Sequence, residues 1–238
     1  EERLTGALGD AGYTFAEANG VPEVDEDAET VRMRFFVDAG QRAYVRRINF
    51  RGNTLTRDNV LRREMRQQEG GWASTTQIDF SKIRLERLGY FKNVNVETPA
   101  VPGTENQIDV EFTVEEQPSG SISGTLGYAQ QAGLILGAQY QENNVFGTGN
   151  STGIGVNWSQ FQQSLNFNFF DPYFTVDGIS RGFNLFYRET NFGRQNIARF
   201  LTNAYGVGVN FGYPISEVEC LNFGVNVDYT DVTAGLFP

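Results

Sequence analysis

Histidine is absent from all 238 residues, and cysteine nearly so, with Cys220 alone. The first absence removes Ser-His-Asp hydrolysis, His-ligated zinc and most general acid–base schemes that work at neutral pH, so no enzyme, cofactor or metal is expected. The second leaves no intrachain disulfide, and the compartment cannot be read from cysteine pairing. No secretory leader is read in these residues, nor any run of about 18 or more apolar residues, so a passage through a bilayer is expected to be built from strands. Positive charge is scarce: 19 Lys and Arg stand against 29 Asp and Glu, a net charge of −10. Nucleic acid is a poor partner for such a chain, because phosphate binding needs a clustered Lys/Arg surface.

What is present changes character near Pro118. Residues 1–118 hold 15 Lys/Arg and 21 Asp/Glu, residues 119–238 hold 4 and 8, and these make up the totals for the chain. Glycine runs the other way, 10 before the boundary and 17 after it, and the second part has no lysine. A charged, mixed first part suits a module in water. A second part rich in Gly, Asn, Ser and aromatics suits strands that face something other than bulk water.

The first part contains a repeat. Shifted by 77 positions, Gly12-Tyr13 falls on Gly89-Tyr90, Pro22 on Pro99, Val24 on Val101, Phe35 on Phe112 and Val37 on Val114. Val31, Met33, Phe35 and Val37 alternate with polar residues, as do Ile108, Val110, Phe112 and Val114, so both copies end in a half-buried strand. The second copy reads strand (43–50), a Gly52-Asn53 turn, helix (56–68), helix (76–88), strand (91–98) and strand (107–115). Thr56 is the expected N-cap, Gly70-Gly71 the first helix stop and Gly89 the second, with Ile78, Ile83, Leu85 and Leu88 facing a small sheet. The first copy, residues 1–40, begins at the equivalent of the second helix and is read as a truncated repeat.

After Pro118 seven segments alternate: Ile122/Leu126/Tyr128, Leu134/Leu136/Ala138/Tyr140, Ile154/Val156/Trp158, Leu165/Phe167/Phe169, Phe183/Leu185/Tyr187, Tyr205 to Tyr213, and Leu221 to Tyr229. Their other faces carry Ser, Gly, Thr, Asn and Gln. A soluble sandwich and a membrane barrel would both alternate in this way. Segments of about 9–11 residues favour the barrel, as do aromatics gathered at segment ends and apolar faces almost free of charge, with Arg188 on the polar face. The links at 143–150, 171–178 and 214–219 carry turn residues.

Other clusters have plain readings. Glu23, Asp25, Glu26, Asp27 and Glu29 lack the alternating ligands and internal Gly of a calcium loop and read as a solvated loop. Gly147-Thr148-Gly149 and Gly206-Val207-Gly208 do not stand between a buried strand and a helix, as phosphate loops do. The informative stretch is Gly120, Ser121, Ile122, Ser123, Gly124, Thr125, Leu126, Gly127 and Tyr128, a first barrel strand that is small, flexible and uncharged. Such a strand holds its register weakly and could offer its backbone edge to an incoming strand. The alternative is that its glycines merely relieve crowding in a curved barrel.

A β-α-α-β-β repeat of about 75 residues ahead of membrane strands resembles the POTRA modules of the BamA family. Arg51-Gly52-Asn53, Leu61-Arg62-Arg63-Glu64-Met65-Arg66-Gln67 and Leu88-Gly89-Tyr90-Phe91 resemble its last module, while Asn144–Gly149 and Asp171–Thr175 resemble its periplasmic turns. The expected fold is therefore α+β POTRA modules followed by an incomplete, all-β antiparallel transmembrane barrel segment. Residues 1–40 would end one module, 41–117 form a complete one, and 118–238 supply about seven strands of a barrel that the resemblance makes sixteen-stranded. The resemblance further implies a Gram-negative outer-membrane protein with POTRA modules in the periplasm, a non-enzymatic insertase that folds and inserts barrel proteins. Its partners would be unfolded outer-membrane chains, periplasmic chaperones, the lipid bilayer, and BamD-like and other assembly lipoproteins. Arg63, Arg66 and Glu69 would contact the BamD-like lipoprotein, although a charged helix face is by default simply solvated. A two-partner secretion pore, which also carries POTRA modules, is the alternative.

Overall fold

In a computed structural model, which describes residues 2–25, 30–130, 132–195, 200–217 and 219–235, the change of composition near Pro118 coincides with a division between Gln117 and Pro118 into two units. The first unit opens with helix α1 (Glu2–Asp10) and strands β1 (Glu17–Asp25) and β2 (Thr30–Asp38). The two strands pair antiparallel from Glu17↔Asp38 to Asp25↔Thr30. The complete module follows as β3 (Tyr44–Arg51), α2 (Asp58–Arg62), α3 (Thr75–Arg87), β4 (Phe91–Glu97) and β5 (Gln107–Glu116). Strand β5 is central, parallel to β3 and antiparallel to β4. Gly12 and Gly89, equivalent in the repeat, both turn the chain out of a helix with positive φ, +96° and +72°, where a side chain would be strained.

The alternating residues of β5 build the core: Ile108, Val110, Phe112 and Val114 are buried against Val45 and Ile48 of β3, Val60 and Leu61 of α2, and Ile78 and Leu85 of α3. Phe50 stacks on Phe112 at 5.8 Å. Ile83 does not join them. It is exposed, and Ser81 is buried on α3 between Ile78 and Leu85, because the 78–81–85 spacing follows one helix face and 83 falls off it.

The helix expected over 56–68 is cut to the five residues of α2. Arg57 is the N-cap residue and makes no side-chain cap bond, while Thr56 is buried and donates its N–H to Glu116 Oε1 at 2.7 Å. At the other end Glu64 and Met65 donate to carbonyls three residues back, and Arg66 N–H donates to Ser81 Oγ at 2.8 Å. Ser81 thus takes a donor that a longer helix would have used, which ends it. The chain then runs back along β3: Gly70 N–H donates to Val45 O, Val45 N–H to Gly71 O, and Ala73 N–H to Ala43 O. The outer edge of β3 is closed by its own module.

The second unit is one antiparallel sheet in sequential order: β6 (Gly120–Ala129), β7 (Gly133–Glu142), β8 (Ser151–Trp158), β9 (Gln162–Asp171), β10 (Ser180–Asn191), β11 (Phe200–Pro214) and β12 (Cys220–Ala234). These are the seven alternating segments of the sequence, although β11 and β12 reach 15 residues each. Register places like with like. Ile122 pairs with Tyr140, Leu185 with Val207 and Phe223 with Phe211 on one face, whereas Asn184 pairs with Gly208 and Ser123 with Gln139 on the other.

Candidate functional site

Strand β6 stands at the end of the sheet and bonds along its whole length to β7, from Gly120↔Glu142 to Ala129↔Gly133, without a register shift. Among the described residues no strand lies on its other side. The polar face of β6 carries Ser121, Ser123, Thr125 and Gly127, opposite Gln141, Gln139, Gly137 and Ile135. Its apolar face carries Ile122, Gly124, Leu126 and Tyr128, of which Ile122, Leu126 and Tyr128 are 83%, 76% and 79% exposed.

The glycines of the sheet fall into two kinds. On the polar face of the later strands, a Cβ at Gly206 would overlap the Phe186 ring, one at Gly208 the amides of Asn184 and Asn226, and one at Gly182 the amide of Asn210. At Gly206 a ring would have to move, while at Gly208 and Gly182 the ends of Asn side chains would have to shift. In β6, by contrast, a Cβ at Gly124 would come no nearer than 3.9 Å to Gly137 O, and one at Gly127 no nearer than 3.9 Å to Ile135. Neither has a positive φ. Neither crowding within this sheet nor backbone strain accounts for those two. Gly120 differs, since a Cβ there would meet the Glu142 carboxylate at 2.5 Å.

The start of β6 is held firmly. Ser119 Oγ donates to Glu142 Oε1, Asn143 N–H donates to Ser119 O at 3.1 Å, and Asn144 N–H donates to the same Glu142 carboxylate at 3.3 Å. Buried Asn144 in turn accepts Gly149 N–H through Oδ1 at 2.8 Å, closing a turn in which Phe146 has φ +51°. The strand is therefore anchored where it begins, and its later glycines, Gly124 and Gly127, are not required by its contacts with β7.

The charged segment of the module is less solvated than its sequence suggests. Glu64 is buried and pairs with Arg84 at 2.6 Å and with Arg63 at 3.8 Å, beside Tyr90, whose phenol burial pushes up. Arg66 spends its N–H on Ser81 and reaches Met65 O with its side chain. Glu69 accepts Ile48 N–H at 2.8 Å and pairs with Arg62 at 3.4 Å, while Arg62 also donates to Asp58 and to Ile48 O. Glu69 and Arg62 together satisfy the outward N–H and C=O of Ile48. Nothing in the spacing of the charged residues foretold this, because the partner atoms are backbone atoms of β3.

Two further carboxylates escaped the sequence reading. Burial alone would raise Glu116, but N–H donors from Leu55, Thr56 and Thr54 and the Thr54 hydroxyl outweigh it and hold the group at about 2. Asp10 accepts Thr76 N–H at 2.9 Å and the hydroxyls of Thr76 and Ser74, which hold it below the usual range and cap α3 from the preceding repeat. In the acidic cluster, Glu23 pairs with Arg34 at 3.1 Å, and Glu26, Asp27 and Glu29 lie outside the described residues. Gly147-Thr148-Gly149 lies in the β7–β8 turn and Gly206-Val207-Gly208 within β11.

The POTRA family profile, described as a surface antigen variable number repeat, matches residues 43–117, and the Omp85 superfamily domain matches residues 144–235. The outer membrane protein assembly factor BamA of Neisseria meningitidis serogroup B is 32% identical over 227 residues, 94% of this chain and 28% of that protein. BamA of Buchnera aphidicola is 30% identical over 230 residues, 97% of this chain and 37% of that protein. The chain thus spans about a third of the length of these curated relatives. The crystal structure of Haemophilus ducreyi BamA lacking POTRA domains 1–3 superposes with a TM-score of 0.85 at 37% identity, covering 98% of this chain and 44% of that one. CdiB from Escherichia coli, at 13% identity and a TM-score of 0.56, shares the fold alone.

Proposed function

We propose that this chain, which belongs to the Omp85 superfamily and joins a periplasmic POTRA module to outer-membrane barrel strands of the BamA type, forms the part of an assembly protein that receives incoming strands. The observation that carries this reading is β6: an edge strand pinned at its start, with two mid-strand glycines that packing against β7 does not require. An unfolded outer-membrane chain would add to the free edge by β-augmentation, its backbone pairing along Gly120–Tyr128 and its side chains alternating between the two faces. In the longer protein, the strand that closes the barrel and the incoming strand compete for that edge, and weak register lets the exchange occur.

No nucleotide is required in this scheme. A chain that completes its own barrel in lipid satisfies its backbone groups and buries its apolar face, so its folding supplies the driving force. The module would hold a BamD-like lipoprotein through Arg63, Arg66 and Glu69, and chaperones would deliver substrates in the periplasm. The internal duties of Glu69 mean that this contact and the closure of the β3 edge share one side chain.

The test is photocrosslinking in the full-length parent protein from each position between 121 and 128 to a stalled barrel substrate. Crosslinks are expected along one edge of the strand; none at any of the eight positions would refute the assignment.

A further inference from the structure

Arg181 is an anomaly on the outer face of the sheet. Register places it opposite Asp171 of β9 and Phe211 of β11, so it shares the apolar face with Phe169, Phe183 and Val209. It lies at the border of that face, beside the β9–β10 turn. Its guanidinium stacks on Phe174 at 3.9 Å and lies 5.1 Å from the Phe183 ring. Its charge partner is Asp171, but at 3.8 Å, beyond hydrogen-bond distance, and its Nε is buried without a hydrogen-bond partner among the described residues. Of its side-chain surface, 29% remains exposed. The Asp171 carboxylate is also only partly used, accepting Tyr173 N–H at 3.2 Å.

A cation and an anion held side by side and part-exposed at the border of an apolar face can each take a further charged partner, and a lipid headgroup supplies both signs. The surroundings place them at headgroup level. Val176, at the tip of the same turn, is fully exposed, and Phe146 and Ile215 are exposed in the other two turns at this end of the sheet, next to the aromatics Tyr140 and Tyr213. This is the end where the chain enters β6, so the pair and the three turns share one rim of the sheet.

We infer that Arg181 and Asp171 form a binding site for a phospholipid whose headgroup carries both a phosphate and a primary amine, as in phosphatidylethanolamine. The phosphate oxygens accept from the Arg181 guanidinium, and the ammonium donates to the Asp171 carboxylate. Phe174 and Phe183 hold the guanidinium by cation–π contact and keep it from turning into the sheet. A choline headgroup has no N–H to give Asp171. A glycerol headgroup has no cation, and its net negative charge is repelled by Asp171. The site rests on the reading of the apolar face as a lipid-facing barrel surface, independently of strand reception at β6.

Native mass spectrometry of the detergent-purified full-length parent, offered equal amounts of phosphatidylethanolamine, phosphatidylglycerol and phosphatidylcholine of matched acyl chains, tests it. The wild type should retain the ethanolamine lipid preferentially, Arg181→Gln should lower that retention about fivefold, and Asp171→Asn should shift retention toward phosphatidylglycerol. A defect in folding would not produce the gain expected of Asp171→Asn, and heat-modifiable mobility shows whether each variant has a formed barrel. Retention of all three lipids without preference, or a preference unchanged in Arg181→Gln, overturns the site. Retention of no lipid overturns the lipid-facing reading beneath it.

Discussion

At the scale of the residue, position decides what each chemical type does. Glu116 is held at about 2 against an ordinary value of 4.5, so the folded state prefers the carboxylate more than the unfolded state does. Its contribution to stability is therefore complete above about 4.5 and is lost as pH falls toward 2. Glu116→Gln should cost on the order of 1–3 kcal/mol near neutrality and flatten the acid limb of the stability curve relative to wild type. Urea titrations followed at Trp72, with Trp158→Phe in the background, read the difference. Among the glycines, Gly206→Ala drives a methyl into the Phe186 ring and should destabilise the sheet by about 1–3 kcal/mol, whereas Gly124→Ala should leave its melting temperature nearly unchanged. Glu69 offers a cleaner separation of roles. Glu69→Gln keeps an acceptor for Ile48 N–H but removes the charge, so it should preserve the module's stability while weakening the proposed complex with a BamD-like lipoprotein; Glu69→Lys should impair both. A complex unchanged in affinity and salt response in Glu69→Lys would remove Glu69 from that interface.

At the scale of the element, helices were harder to read than strands. Thr56 and the apolar spacing of 56–68 describe a good helix, yet the donors of Arg66 and Thr56 are claimed by Ser81 and Glu116, residues 15 and 60 positions away. Long-range acceptors of this kind have no local signature. Helix α3 was legible from Ile78, Leu85 and the Gly89 stop, all local, although its cap, Ser74, which accepts Gln77 N–H, was not read. Its second cap, Asp10, comes from the end of α1, and Asp10→Ala should lower the urea midpoint of the first unit by the equivalent of about 1 kcal/mol. The β6 strand makes the opposite kind of element, with glycines at Gly124 and Gly127 that its contacts do not require. Gly124→Val with Gly127→Val should stiffen its register, slowing substrate assembly in reconstituted membranes without lowering the melting temperature of the barrel. Equal loss of both would mean that the glycines serve packing alone.

At the scale of the whole molecule, depletion of the full-length parent followed by quantification of several unrelated outer-membrane barrels distinguishes general assembly from a dedicated pore. A parallel fall of all barrels is expected; persistence of the barrels with loss of one secreted protein would assign the chain to the translocators. The sequence by itself determined the change of character near Pro118 and the seven alternating segments that form the strands of the described sheet, because a period of two and a change of composition are properties of neighbouring residues. It also singled out Gly120–Tyr128. Only the tertiary structure decided which glycines are needed for space, that Glu69 and Arg62 seal the edge of β3, and that Arg181 stands beside Asp171 among aromatics. Those facts depend on which strands and turns meet across the chain, and register, unlike periodicity, is settled by contacts between distant segments.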